Sequence, residues 1–330
     1  MSAPLVSVIM PIRNEESFIE RSLGAVLAQD YPHYEVLIAD GMSTDRTRAL
    51  IAAMAAQTAV PITIIDNPAG IVPTGWNKAL AAAQGAIIVR VDGHTIIEPD
   101  YIRECVAALD RTGADNVGGR MNAVGTTAWG RAIAAATSSP FGIGNALFHY
   151  AETETEVDTV YMGAWRREVF ERIGGFDENM VRNQDDEFNY RLRASGGKIL
   201  LTPRIRSTYY NRGDLKKLWK QYFEYGYYKV LVLKKHPGQM SIRQFIPPLF
   251  VAGLVVGLPL ALLSAALAVL YLLAISAYAA LNAVFSVRVG GRTAANALRL
   301  MVTFTTLHLA YGAGFWMGVV NQVKGMRNEQ

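Results

Sequence analysis

The residues best suited to chemistry lie in Ala86-Ile-Ile-Val-Arg-Val-Asp-Gly-His-Thr95. A short apolar, β-branched run reads as a buried strand, and it ends in a carboxylate, Asp92, and an imidazole, His94, flanking a glycine that permits a sharp turn. Two ligating side chains so spaced can hold one divalent ion, which would neutralise the charge building on a departing nucleotide diphosphate. Alone, the same three residues also read as a solvated turn at a strand end.

The elements that must position this turn follow from periodicity. Residues 5–10 form an apolar run followed by Pro11-Ile-Arg-Asn-Glu-Glu16, and Ile19, Leu23, Val26 and Leu27 predict a helix from Ser17. Residues 35–39 and 61–65 read as strands, 48–56 as a helix, 70–75 as a loop, 76–83 as a helix and 86–91 as the fourth strand. Strands alternating with helices predict an α/β, Rossmann-like, mostly parallel sheet covered on both faces, and such sheets bind ligands at the carboxyl ends of their strands. Residues 11–15, 40–43, 66–67 and 92–94 all follow strand ends, so four polar loops are expected to converge on one edge.

Composition sets the bounds. A chain of 330 residues predicts roughly two domains. A net charge of +4 with only 18% charged residues is not a nucleic-acid-binding composition, so no nucleic-acid partner is expected. The single cysteine, Cys105, excludes an intramolecular disulfide and reads as a core residue. The N-terminus has no basic segment ahead of an apolar one, so no signal peptide is expected.

Taken in order, Val6-Ser-Val-Ile-Met-Pro-Ile-Arg-Asn-Glu-Glu16, Ala39-Asp-Gly-Met-Ser-Thr-Asp-Arg-Thr47, Asn77 with Gly85, and Val91-Asp-Gly-His94 resemble the motif series of family 2 glycosyltransferases with the GT-A fold. The resemblance covers about residues 5–210 and implies an inverting transferase that uses a nucleotide-sugar donor. It implies that Pro11, Arg13 and Glu15 line the nucleoside pocket, that Asp40 contacts the base, and that Asn77 and Asp92 also belong to the donor site. Asp92 matches the first acid of the family's Asp-x-Asp pair, while His94 stands where the second acid usually is. Asp92 and His94 are thus the expected metal ligands, for Mn²⁺ or Mg²⁺, and the imidazole favours Mn²⁺ because Mg²⁺ prefers oxygen.

The acceptor side is expected from Asn183-Gln-Asp-Asp-Glu-Phe-Asn-Tyr-Arg-Leu-Arg193, a helix whose first turn carries three acids. Aligned on the family's Arg-x-Arg, Gln184 replaces a glutamate and Asp185 falls at the catalytic base, with Asp186 the alternative. Trp165, Arg191 and Trp219 are the expected acceptor contacts. Residues 141–145 read as a mobile loop over the donor.

Residues 215–229 interleave lysines with Trp219, Tyr222, Phe223, Tyr225, Tyr227 and Tyr228, which predicts a helix in the lipid headgroup layer. The Gln-x-x-Arg-Trp motif of processive synthases in this superfamily occurs nowhere in the chain, so one sugar per encounter is expected. Residues 245–287 are uncharged, about twice the ~20 needed for one crossing. They read as a hairpin of two helices, with 294–320 a third candidate. Lys234, Lys235 and Arg243 before the hairpin and Arg288, Arg292 and Arg299 after it place both flanks in the cytoplasm.

The resulting expectation is a GT-A domain over 1–210, interfacial helices over 211–244, a membrane anchor of two to three helices over 245–323 and a tail over 324–330. It would sit on a bacterial inner membrane with its catalytic domain in the cytoplasm. Within the family the arrangement is similar to glucosyltransferases of succinoglycan-type exopolysaccharide assembly, implying a UDP-sugar donor, glucose foremost, and a polyprenyl-diphosphate-linked glycan acceptor. Transfer to polyprenyl phosphate itself and a catalytically silent nucleotide-binding membrane module are the alternatives.

Overall fold

The computed structural model describes residues 3–144, 146–211, 213–238, 242–290 and 293–328, so Asn145 and Arg292 lie outside the described residues. The chain divides into two compact units, one of residues 1–122 and 147–210, the other of residues 123–146 and 211–330.

The first unit is built on β1 (Val6–Ile12), α1 (Ile19–Leu27), β2 (Tyr34–Asp40), α2 (Thr47–Ala55), β3 (Ile62–Asp66), α3 (Val72–Ala82), β4 (Ile87–Arg90), β5 (Thr95–Ile97), α4 (Tyr101–Thr112) and β6 (Asn116–Val124). In the second unit come α5 (Ala128–Thr137) and α6 (Pro140–Ile143). The first unit resumes with β7 (Thr155–Glu156), β8 (Tyr161–Arg166), α7 (Arg167–Ile173), α8 (Gln184–Ala194) and β9 (Ile199–Tyr210).

One sheet runs in the order β3-β2-β1-β4-β8-β6-β9-β5, with β7 beside β9. The pairs β1–β2, β1–β4 and β2–β3 are parallel, as the alternating pattern predicts. β8 is antiparallel to both β4 and β6, and β9 to β5 and β7, so the sheet is mixed. The central strands β1, β2 and β4 are buried over almost their whole length because both faces are covered. Val8, Met10, Val36, Ile38, Ile87 and Val89 enter one core with Leu23, Val26 and Ile102 of the helices. Their neighbours Ile9, Leu37 and Ile88 enter another with Trp76, Trp165, Phe170 and Phe188.

The helix expected from Trp76 starts at Val72 instead, with Pro73 in its first turn. Pro-Thr-Gly reads as loop, yet proline is favoured at a helix start, where its missing N–H would have no partner anyway.

The second unit adds α9 (Leu215–Lys235), α10 (Ile246–Ala261), α11 (Ala265–Gly290) and α12 (Ala294–Asn328). Among the described residues two helices are long and apolar enough to cross a membrane, Ile242–Ala261 with mean hydropathy 1.8 and Ala265–Gly290 with 2.0. Their large side chains, Leu258, Leu260, Leu267 and Leu273 among them, face outward, the reverse of a soluble core. α12 instead buries Leu300, Phe304 and Leu307 in a cluster shared with Leu218 of α9 and Ala132 and Ile133 of α5. Phe141, expected in an open loop, is stacked on Phe285 with ring centroids 4.7 Å apart and meets Phe304 and His308 edge-on. An apolar ring with three aromatic partners packs, and that is the physical reason this segment is not a free loop.

Candidate active site

The loops after β1 and β2 are tied into one surface. The Asn14 backbone N–H donates to Ser43 Oγ (2.9 Å), Asn14 Oδ1 accepts from the Thr44 N–H (2.8 Å), and the Glu15 N–H donates to Thr47 Oγ1 (2.8 Å). Asn14 and Met42 both take left-handed backbone, at φ 53° and 57°. Asparagine visits this region readily; methionine does so at a cost of order 1 kcal/mol, which the surrounding bonds must hold.

Asp40 ends β2 with its side chain fully enclosed. Its oxygens accept from Ser43 Oγ (2.5 Å) and Arg48 Nη1 (3.1 Å), and Arg48 reaches on to Asp66 Oδ1 (2.7 Å). The carboxylate that the resemblance places at the base shapes the turn here, held by Ser43 and Arg48. Pro11 is half-buried on β1, in register with Ala39. Arg13 is exposed and runs beside Gly70, where a Cβ would stand 2.7 Å from its Nη1; at φ +67° only glycine fits comfortably.

At the end of β4, Arg90 is 8% exposed and donates through Nε to Asp92 Oδ1 (2.8 Å). Burial opposes the Arg90 charge, but the Asp92 and Asp185 carboxylates outweigh it and raise the guanidinium's pKa. Arg90 is thus a buried cation that acts on both Asp92 and Asp185. Gly93 lets the turn close: a Cβ there would stand 2.9 Å from Ile12 Cγ2 and 3.1 Å from Glu15 Cγ. Ser22 Oγ donates to the Gly93 carbonyl (2.7 Å) and fixes the turn to α1. His94 Nδ1 lies 3.3 Å from Glu15 Oε1, and the His94 ring meets Tyr209 edge-on at 5.3 Å. Tyr161 shares a 2.6 Å hydrogen bond with Thr95, and burial together with Asp92 pushes its phenol pKa well up, so it stays neutral. Among the described residues no group of three or more His, Cys, Asp or Glu side chains is arranged to hold an ion.

α8 begins at Gln184 after Asn183 in left-handed backbone (φ 59°). Its three acids have different fates. Glu187 is fully enclosed and paired with Arg191, whereas Asp185 is exposed, Asp186 is half-buried, and Asp185 Oδ1 accepts from the Asp186 N–H (3.0 Å).

The profile of Glycosyl transferase family 2 matches residues 7–174. Succinoglycan biosynthesis protein ExoA of Rhizobium meliloti (strain 1021) is 31% identical over 312 residues, 94% of this chain and 93% of that protein. The chain belongs to glycosyl transferase family 2. A second relative, the dolichyl N-acetyl-alpha-D-glucosaminyl phosphate 3-beta-D-2,3-diacetamido-2,3-dideoxy-beta-D-glucuronosyltransferase of Methanococcus voltae, is 30% identical over 73% of this chain and 77% of its own. Among solved structures, mannosyltransferase PcManGT from Pyrobaculum calidifontis, in complex with GDP-Man and Mn²⁺, aligns at TM-score 0.67 and 20% identity over 96% of this chain and 88% of its own. S. aureus TarS 1-349 in complex with UDP-GlcNAc aligns at TM-score 0.53 and 18% identity over 98% and 92%. These likenesses carry the GT-A fold.

Several contacts expected of a family 2 glycosyltransferase are placed otherwise. Trp165 is 2% exposed, edge-on to Trp76 (5.6 Å) and Phe188 (5.9 Å), so it is a core residue and not an acceptor contact. Asn77 Nδ2 donates to the Phe176 carbonyl (2.8 Å) and Asn77 Oδ1 accepts from the Phe176 N–H (2.9 Å), so its amide latches α3 to the segment after α7 instead of facing a donor. Arg191 donates to Glu187, to the Gly175 carbonyl (2.7 Å) and to the Ile173 carbonyl, so it braces the segment between α7 and α8 and is not an open acceptor contact. Trp219 lies in the second unit, 42% exposed on α9. Arg90, Tyr161 and Tyr209 were not among the expected site residues. For Arg90 a signal existed: a charge inside an apolar run, two residues before Asp92 and hence on the same face of the strand.

Proposed function

We propose that this glycosyltransferase is an inverting, metal-dependent, non-processive enzyme that moves glucose from UDP-glucose to a hydroxyl of a polyprenyl-diphosphate-linked glycan during exopolysaccharide assembly. The observation that carries the reading is the turn after β4, where Asp92 and His94 close the edge formed by the β1 and β2 loops, with a buried cation, Arg90, between Asp92 and Asp185 in charge. The full-length likeness to a succinoglycan biosynthesis protein supports the pathway class, and the UDP-GlcNAc complex of TarS supports a uridine nucleotide.

Pro11 and Arg13, with Asp40 behind them, border the surface proposed for the nucleoside. Asp92 and His94 suit a divalent ion, since one carboxylate and one imidazole leave most positions to diphosphate oxygens. Such an ion, Mn²⁺ or Mg²⁺, supplies charge neutralisation to the leaving diphosphate. Asp185 takes the proton of the acceptor hydroxyl as its oxygen attacks the anomeric carbon from the face opposite the departing UDP. The C–O bond to UDP breaks, the new glycosidic bond forms with inversion, and Asp186 is the alternative base.

α10 and α11 anchor the enzyme in a bacterial inner membrane. Lys234, Lys235, Arg243 and Arg288 at their ends favour a cytoplasmic catalytic side. The test is transfer of radiolabel from UDP-glucose, with UDP-GlcNAc and GDP-mannose alongside, into organic-extractable glycolipid by membranes holding wild type, Asp92→Ala or Asp185→Asn, with Mn²⁺ or EDTA. Label that needs metal and both acids supports the reading. Near-normal transfer by Asp185→Asn points to a phosphate oxygen as nucleophile and polyprenyl phosphate as acceptor. UDP binding with no transfer from any donor points to a silent nucleotide-binding module.

A further inference from the structure

Glu15 was expected to line the nucleoside pocket, yet its carboxylate is turned to the metal-side turn. Its backbone N–H is anchored on Thr47 Oγ1 (2.8 Å) and its Cγ lies where a side chain on Gly93 would have to be, which brings Oε1 to 3.3 Å from His94 Nδ1. The Glu15 and His94 side chains are 17% and 27% exposed, so the pair is partly shielded from solvent. Tyr209 meets the His94 ring edge-on and Ser22 holds the preceding Gly93 carbonyl, so the ring has two neighbours, Glu15 and Tyr209, and the backbone before it an anchor on α1.

A carboxylate at Nδ1 is accompanied by a proton on that nitrogen, which leaves the Nε2 lone pair as the ligand. This is how a carboxylate sets the tautomer and orientation of a metal-bound histidine. We infer that Glu15 is a positioning residue that orients His94 to present Nε2 to the donor-bound divalent ion, and that it acts through His94 and not through the nucleoside. The inference rests on the metal reading above and adds the residue that makes an imidazole workable where an acid usually stands.

It has a consequence that a nucleoside contact would not have. With His94 in place Glu15 helps, because it accepts the ring N–H. With His94→Asp there is no ring to orient, and Glu15 only adds negative charge near the ion, which favours a cation weakly. The effect of Glu15→Gln therefore shrinks when residue 94 is aspartate.

The experiment measures Mn²⁺ affinity by electron paramagnetic resonance in the presence of UDP, and UDP affinity without metal, on the full chain in detergent. The variants are Glu15→Gln, His94→Asp, the double variant and Asp92→Ala. Glu15→Gln is expected to weaken Mn²⁺ binding about 10- to 100-fold with metal-free UDP affinity unchanged. The double variant is expected to bind Mn²⁺ nearly as tightly as His94→Asp alone. If Glu15→Gln leaves Mn²⁺ affinity intact, or instead weakens metal-free UDP binding, the inference is overturned. Retained Mn²⁺ binding by Asp92→Ala would bring down the metal reading itself, so the two failures separate.

Discussion

Arg191 gives the sharpest choice between a contact with the acceptor and a role inside the fold. Its guanidinium makes three contacts with Glu187, at 2.8, 3.1 and 3.0 Å, and two with the carbonyls that end α7. Glu187 is 0% exposed, so Arg191→Met takes the guanidinium away from an enclosed carboxylate. Breaking a buried pair from one side costs about 3–5 kcal/mol. In a domain of this size that lowers the melting temperature by roughly 10 °C. Melting can be followed by tryptophan fluorescence, because Trp76 and Trp165 lie in the aromatic cluster that includes Phe188, one residue from Glu187. Pairing Arg191→Met with Glu187→Leu removes the stranded charge and is expected to recover much of the loss. If Arg191→Met melts like wild type and instead raises the KM for the acceptor, Arg191 is an acceptor residue and the bracing argument is wrong.

Three further outcomes are expected. Asn77→Ala removes both bonds to Phe176 and is expected to lower stability by about 1–3 kcal/mol by chemical denaturation, with UDP affinity changed less than twofold; a selective loss of UDP binding would restore its expected donor role. Asp185→Asn is expected to lower kcat about 10²- to 10⁴-fold with donor KM nearly constant, and an equal effect from Asp186→Asn alone, with Asp185→Asn active, would move the base by one residue. For His149, burial lowers the imidazole pKa from 6.5 to about 4, so the unfolded chain binds the proton more readily. Its contribution to stability is thus present above pH 6.5 and is lost as the pH falls toward 4; His149→Phe is expected to flatten that part of the stability profile, and an unchanged slope would refute the burial argument.

The sequence made some of this legible for a definite reason. The strands that carry the loops are apolar runs bounded by turn residues, a signal local enough to be read one segment at a time. Parallel order then follows from the intervening helices, and strand ends locate the polar loops. The antiparallel half of the sheet was less legible, because β8 is separated from β4 by more than 70 residues and its pairing has no local signature.

Within the site, legibility failed wherever a role depended on a partner far along the chain. Glu15 and His94 are 79 residues apart, and Asn77 and the Phe176 carbonyl 99 apart. A polar residue beside a motif looks like a ligand contact until its long-range partner is known, and three expected contacts, Asn77, Trp165 and Arg191, proved to face the protein. At the edge the fold leaves Arg13 and Asp185 exposed, and Asp92 and His94 partly so. A motif therefore identifies the surface where chemistry is proposed, and only the packing behind it divides the residues that meet a substrate from those that hold them in place. Glu15 lies on that boundary: its sequence position argues for the nucleoside, its carboxylate argues for the imidazole, and the size of its coupling to residue 94 distinguishes the two.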